Sequence, residues 1–383
     1  MKYDFLIFGA NGMQGKIVSR DLMEKKYNIF LSDLYENDID KTLDKYPNVS
    51  FEFLDLRDKK GTKKLIKKTK PSVVINCAEG DWNLDVYKAC LETGTHVIDL
   101  GSDIPMTKEQ LLMGKFFRKN NLTAITGCGS TPGITNVMLN FATRFFDKIE
   151  TVETGFAWDS NIKKFVVPFS IPSIVEEFTD PAQIIQNGKM INKIPLESLI
   201  EREFREIGKQ KCFFVRHPET YTFYLFCRNK GVKNVKFYAG FPEHSFEAIA
   251  NFIEFGLGST EKIMVDDIEV EPVKVLSQTL RKVELPNGYE EKENLWVEIL
   301  GKNGQEKKTV LMECIVNTLP GWEEAGCNID TGLTTSIIAE MIKDGKIIKH
   351  GSFTPENVVP VEEFFKKIKE RKMDVYMNGQ MVN

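Results

Sequence analysis

The chain has 383 residues and a mass of 43.8 kDa, more than the roughly 250 to 300 residues that one hydrophobic core organises, so two domains are expected. Hydrophobic residues at 42% and charged residues at 28% are ordinary globular proportions and exclude a disordered or fibrous chain. With 51 Lys and Arg against 55 Asp and Glu, the net charge is -4 and nothing suits a nucleic-acid partner; a small-molecule ligand is expected instead.

The first third reads as strands alternating with helices. Tyr3 to Phe8 is a short apolar run ending on glycine, and Gly15 to Lys25 carries Ile17, Val18, Leu22 and Met23 at helical spacing. Further strands are predicted at 28–31, 49–53, 73–76, 96–98 and 123–126, with helices near 59–70, 81–93 and 107–120. This alternation implies βαβ units and a doubly wound parallel sheet. Lysine pairs from Lys59 to Lys68 line one side of the third helix and read as a solvated face.

From about residue 150 the texture changes. Strands are predicted at 151–157, 233–237, 295–300 and 309–316, the last two flanking Gly301-Lys302-Asn303-Gly304, where Asn-Gly signals a hairpin. Helices are predicted at 173–186, 196–207 and 246–255, and in the tail at 332–343 and 360–371. The expected fold class is α/β: a Rossmann-type doubly wound parallel sheet, plus a second α+β domain with a mainly antiparallel sheet. The expected boundaries are 1–132 for the dinucleotide domain, 133–330 for the second domain, and 331–383 for a C-terminal segment that returns to helices.

Gly9-Ala10-Asn11-Gly12-Met13-Gln14-Gly15 sits between the first strand and first helix. Its glycines permit tight turning and close approach to a pyrophosphate, while the helix N-terminus favours negative charge. Gly9, Asn11, Gly12, Met13, Gln14 and Gly15 are therefore candidate cofactor contacts. Asp33, ending the second strand, suits the ribose hydroxyls and favours NAD over NADP, since no arginine follows it. Asp55 is a candidate for adenine or for a helix cap, and Asn76, Cys77 and Ala78 close the fourth strand at the edge where ligands bind. The loop after the sixth strand adds Cys128 and Gly129.

Seven cysteines without a C-x-x-C pair, and four scattered histidines, suggest reduced thiols and no metal site. The N-terminus lacks the apolar stretch of a secretory signal, and no 18-residue apolar run occurs, so a cytoplasmic protein with no membrane partner is expected.

Taken in order, GANGMQG, VVINCAEGDWNLDVYKACLETGTHVIDLGSD, AITGCGSTPGITNVM, EEFTDPAQIIQNGK, RHPET, GVKNVKFYAGFPE and TGLTTSIIAEMIKDGKIIKHGSFTPENVV resemble the saccharopine dehydrogenase and lysine 6-dehydrogenase family over nearly the whole chain. The resemblance implies a two-domain, nicotinamide-dependent oxidoreductase acting on amine carbon–nitrogen bonds, with 133–330 as the substrate and dimerisation domain, 331–383 packing back against the dinucleotide domain, and a homodimer or higher homo-oligomer as the expected assembly. Two features depart from the family pattern. Ser130-Thr131 stands where many members carry an aspartate before Pro-Gly, and the region of Trp82 is not their Pro-rich loop.

Such chemistry needs a group for the ammonium proton, a group for any substrate carboxylate, and a dry surface beside the nicotinamide. Asp99 and Asp103 follow the fifth strand and are acid/base or ammonium candidates, and Thr135 and Asn136, opening the helix after Pro132-Gly133, are substrate-binding candidates. In Arg216-His217-Pro218-Glu219, Arg216 suits a carboxylate, Glu219 an ammonium, and His217 proton transfer. Trp82 adjoins the cofactor loop and is a further substrate-binding candidate. The reading is an NAD- or NADP-dependent dehydrogenase of an amino acid; a carboxynorspermidine-type reductase joining an amine to an aldehyde, or a non-catalytic dinucleotide sensor, are the alternatives.

Overall fold

In a computed structural model, residues 2–35, 45–167 and 169–383 are described. The first sheet has seven parallel strands: β1 (Phe5–Phe8), β2 (Ile29–Asp33), β3 (Val49–Phe53), β4 (Val73–Asn76), β5 (His96–Asp99), β6 (Thr123–Ile125) and, from far along the chain, β17 (Gly351–Phe353). Their order is β17-β6-β5-β4-β1-β2-β3, with the topological reversal at β1 and β4. Because both faces are covered by helices, the central strands are apolar throughout and Phe5, Leu6, Ile7, Val73, Val74 and Ile75 are fully buried.

The second sheet is mixed. It contains β7 (Lys148–Ser160), β8 (Ala182–Gln186), β9 (Lys189–Lys193), β10 (Ile200–Phe204), β11 (Gly208–Phe214) and β12 (Asn234–Gly240). A separate small ribbon pairs β13 (Ile263–Val265) with β14 (Ile268–Val270), and the long hairpin of β15 (Glu291–Asn303) and β16 (Glu306–Asn317) completes the large sheet with β18 (Asp374–Met377) and β19 (Gln380–Met381). The pairings are antiparallel except β12 with β7. An aromatic core of Phe156, Phe178, Phe213 and Phe241 fills one face of this sheet.

Several predicted elements are corrected. The helix expected at 173–186 is the helix Ile171–Thr179 followed by β8, because Pro181 drives Asp180 out of helical geometry (ψ 138°). The segment expected as a helix at 196–207 is a short turn, Pro195–Ser198, and then β10, whose residues pair with β11 from Ile200↔Cys212 to Phe204↔Gly208. Asn187-Gly188, with φ of 51° and 76°, turns β8 into β9, a hairpin signal not recognised above. The other hairpin turns one step later than expected: Asn303 pairs with Glu306, leaving Gly304, φ 58°, in the turn. The helix expected at 107–120 is two, Ile104–Leu112 and Gly114–Lys119.

The tail holds the two sheets together. Its helix Ile329–Lys343 packs on the helix Met13–Glu24, β17 extends the first sheet beside β6, and β18 pairs with β16 of the second. At this junction Arg371 Nη2 lies 2.9 Å from both Asp21 Oδ2 and Glu340 Oε1, with Lys25 and Lys367 on the same carboxylates. Burial pushes the carboxyls of Asp21 and Glu340 up, the latter to about 7, and the neighbouring cations oppose it. No described helix is long and apolar enough to cross a membrane. Removing one member of a buried ion cluster costs about 3–5 kcal/mol. Arg371→Met is therefore expected to lower the urea midpoint by a stability loss of about 3 kcal/mol; a midpoint matching the parent would show that the junction does not depend on this cluster.

Candidate active site

The dinucleotide turn is built from backbone contact. Gly9 has φ 69°, and a Cβ there would lie 2.5 Å from Ala78 N; a Cβ on Gly15 would lie 2.0 Å from Gly9 O. Gly12 N-caps the helix Met13–Glu24 with no side-chain cap, so the first amides of that helix keep donors for a phosphate. Asp33 receives Asn11 N at 2.9 Å and Tyr35 N at 3.1 Å, and the Asn11 amide also bonds Tyr35 O. Glycine backbone beside free helix amides, with a carboxylate ending the next strand, is a cradle that could hold a dinucleotide.

Asp55 does not stand free beside it. Arg57 Nη2 lies 2.5 Å from its carboxylate and Arg57 Nε donates to both oxygens, which holds the Asp55 carboxyl below its usual range. An arginine is thus present in the loop after β3 rather than among the residues after Asp33. Asn76 is buried and bonds Asn83 Oδ1 at 2.7 Å, fixing the loop that carries Cys77 and Ala78. Cys128 is fully buried, its thiol directed at Ile125 O and pushed up by burial, so it belongs to the core and does not line the cleft. Gly129 accepts instead a close turn: its N–H donates to Pro132 O at 2.8 Å.

Asp99 is fully buried and spent on structure. It accepts from Tyr87 Oη (2.6 Å), Gln110 Nε2 (2.7 Å), Gly101 N (2.7 Å), Thr126 Oγ1 (3.0 Å) and Gly127 N (3.2 Å). These bonds favour its carboxylate form against the upward push of burial. Surrounded in this way it is not an acid/base group open to substrate. Thr135 and Asn136 are likewise fully buried: Thr135 donates to Glu219 at 3.3 Å, and Asn136 joins Gly133 N to Glu356 at 2.7 Å each. Trp82 is half-buried on the loop after β4 and lines neither cavity described next.

Two cavities lie where the carboxyl edge of the first sheet meets the second. One, of about 240 Å³, is lined by Asp103, Glu176, Arg216 and the Gly101-Ser102 turn. Asp103 there caps a helix, accepting Met106 N at 2.8 Å, and Arg216 bridges Glu176 and Asp180 at 3.3 and 3.2 Å. The other cavity, of about 230 Å³, is bounded by Gln14, Phe156, Trp158, Glu293 and Asp330. Gln14 connects it to the dinucleotide turn. Thr131, Glu177 and His217 line both.

His217 is held on two sides. Its ring stacks on Phe237 with centroids 3.9 Å apart and planes 9° apart, and Nδ1 is hydrogen-bonded to the fully buried Glu219. That partner leaves Nε2 as the nitrogen for the cavity. Glu177 is pushed up to about 8 by burial and by Glu176, and its Oε2 has no partner.

The residues brought together from the predicted set are thus Gln14, Asp103, Arg216, His217 and, beneath His217, Glu219. Sequence reasoning missed Glu177, Glu291, Glu293, Asp330, Phe156 and Trp158. A signal existed for two of them: Glu291 and Glu293 share a strand face with Leu295, Val297 and Ile299, all fully buried, so charged residues continue an inward-facing row. Among the described residues, no group of three or more His, Cys, Asp or Glu is arranged to hold a metal ion.

Comparison with known proteins now gives the geometry a family. The chain is 24% identical to carboxynorspermidine synthase of Vibrio alginolyticus over 317 residues, covering 77% of this chain and 75% of that protein. It is 22% identical to carboxyaminopropylagmatine dehydrogenase of Synechocystis over 336 residues, 85% of this chain and 84% of the relative. Its fold superposes on apo saccharopine dehydrogenase (L-Glu forming) from Saccharomyces cerevisiae with a TM-score of 0.76 at 12% identity, covering 98% and 99% of the two chains. Residues 5–125 match the saccharopine dehydrogenase NADP binding domain and residues 129–373 the saccharopine dehydrogenase C-terminal domain. The chain therefore belongs to the saccharopine dehydrogenase family, oxidoreductases with a nicotinamide dinucleotide cofactor.

Proposed function

We propose that this protein reduces the imine formed between an amine and a carbonyl compound, giving a secondary amine, and can run the same step in reverse. The observation that carries this reading is His217, backed by Glu219 and facing the cavity that Gln14 joins to the dinucleotide turn. Among the activities left open by the sequence, condensation is favoured over deamination of a free amino acid. The cavity walls carry carboxylates in excess, and their guanidinium, Arg216, is already paired with Glu176 and Asp180. The names of the two relatives, built on carboxynorspermidine and carboxyaminopropylagmatine, agree with a carboxylated polyamine as product.

The amine arrives as an ammonium and must lose a proton before its nitrogen can attack. His217 takes that proton at Nε2, and Glu219, accepting the Nδ1 hydrogen, stabilises the imidazolium. Attack on the carbonyl carbon gives a carbinolamine; the proton returns from His217 to its hydroxyl, which leaves as water. The resulting iminium is positively charged, and Glu177, at the boundary of both cavities, is placed to stabilise it when ionised. The bound dinucleotide supplies the hydride. Aromatic walls at Phe156, Trp158 and Phe169 keep water from the imine carbon.

For the cofactor, Asp33 at the ribose favours NAD(H), whereas the nearby Arg57 is occupied by Asp55.

His217→Ala is expected to lower kcat for aldehyde- and amine-dependent NADH oxidation by about 10²- to 10⁴-fold with NADH affinity unchanged, and Glu219→Gln to lower it less. Activity of the His217 variant within about threefold of the parent would refute its acid/base role. Asp33→Ala should move the ratio of kcat/KM for NADH over NADPH toward NADPH by about tenfold, near 1.4 kcal/mol, and Arg57→Ala should not. A parent enzyme already preferring NADPH would remove the ribose role given to Asp33.

A further inference from the structure

Two carboxylates that line the second of the two cavities, Glu293 and Asp330, have no part in the chemistry above. Glu293 lies on β15 directly opposite Trp158 on β7, and its carboxyl lies against that of Asp330, in the first turn of the helix Ile329–Lys343; both line the cavity, and Asp330 Oδ2 is buried without a hydrogen-bond donor. Two carboxyls in that contact must share a proton, since two neighbouring anions in a buried site repel. At the tail junction, by contrast, buried acids meet cations, as Asp21 and Glu340 do with Arg371. Among the described residues no lysine or arginine pairs with Glu291, Glu293 or Asp330. Glu291, which faces the pair, is instead satisfied by Tyr289 Oη and Cys327 N, each at 2.9 Å.

A second, independent feature marks this end as a ligand site. The indole N–H of Trp158 is buried, the residue being 4% exposed, and has no acceptor, although it lines a cavity. An unpaired buried donor costs about 1–3 kcal/mol, which a ligand oxygen recovers; the carbonyl partner of the amine brings such an oxygen. The aromatic rings of Phe156, Phe169 and Trp158 complete a wall suited to methylenes beside a cation.

We propose that Glu293 and Asp330 form a subsite for a second ammonium of the amine substrate, so that the protein selects short linear diamines over monoamines of equal length. This rests on the amine-condensing reading above. The distal ammonium replaces the shared proton: it lodges between the two carboxylates, and the displaced proton passes to the solvent. Burial and the neighbouring acids push Glu293 well up, and burial pushes Asp330 to about 7 against the contact with Glu293, so the pair still holds that proton in the empty site near neutrality. The other titratable groups facing the pair, Glu291 and the thiols of Cys314 and Cys327, are themselves pushed up by burial.

The test is calorimetric titration of the dinucleotide-saturated protein at pH 7.5 with 1,4-diaminobutane and with butylamine, in two buffers of different ionisation enthalpy. The diamine is expected to bind at least about tenfold more tightly, a difference near 1.4 kcal/mol, and to release about one proton. Glu293→Gln should abolish the diamine preference and the proton release, leaving butylamine and dinucleotide affinities as they were; Asp330→Asn gives the same comparison if that variant folds poorly. Equal affinity for the two amines, diamine binding without proton release, or an unchanged preference in both variants would overturn the subsite alone. Failure of both amines to bind would overturn the amine-condensing reading with it.

Discussion

One buried carboxylate organises the ground on which both cavities stand. Asp99 ends β5 and gathers donors from the helix Asn83–Thr93, from the Gly101 turn, from the helix Ile104–Leu112 and from the segment leaving β6. Its backbone carbonyl also accepts Cys128 N at 2.8 Å. The chain from Thr126 to Gly133 is consequently fixed at the sheet edge before it crosses to the second sheet. That crossing is tight enough that a Cβ on Gly133 would meet Gly129 O at 1.7 Å. Thr131, at its apex, then serves as a wall of both cavities.

The same arrangement explains what the sequence disclosed and what it hid. The parallel sheet, the glycine turn and the clustering of Arg216, His217 and Glu219 were legible because each is local: a period, a spacing, a tetrapeptide. Asp99 read equally well as an acid/base group or as a backbone anchor, since its position at a strand end is identical in both; only the burial of Tyr87 and Gln110 beside it decides. Cys128 was ambiguous for the same reason. Glu177, Glu293 and Asp330 come from a helix, a strand and a second helix far apart in the chain, and their convergence exists only in the packed molecule. Of the three, only Glu293 left a trace, as an acid in a strand row otherwise apolar.

Charge in this molecule is sorted by location. Where the tail crosses the first helix, acids and bases are buried together and hold the domains in register. In the cleft, acids are buried without bases. The first kind of burial can be satisfied by the chain itself, whereas the second leaves the cavity dependent on protons or on a cationic ligand. The small net charge of -4 conceals this division.

The edge of the first sheet carries a consequence for synthesis. β6 is complete once residue 125 is made, yet its outer partner β17 begins only at Gly351. Through the intervening 225 or so residues of translation, on the order of 10–50 s at ribosomal rates, the nascent dinucleotide domain presents an open parallel edge to other chains. Gene fragments ending before that strand therefore leave a sticky half-sheet, and the order of manufacture, as much as the finished fold, makes the last tenth of the polypeptide indispensable to the first third.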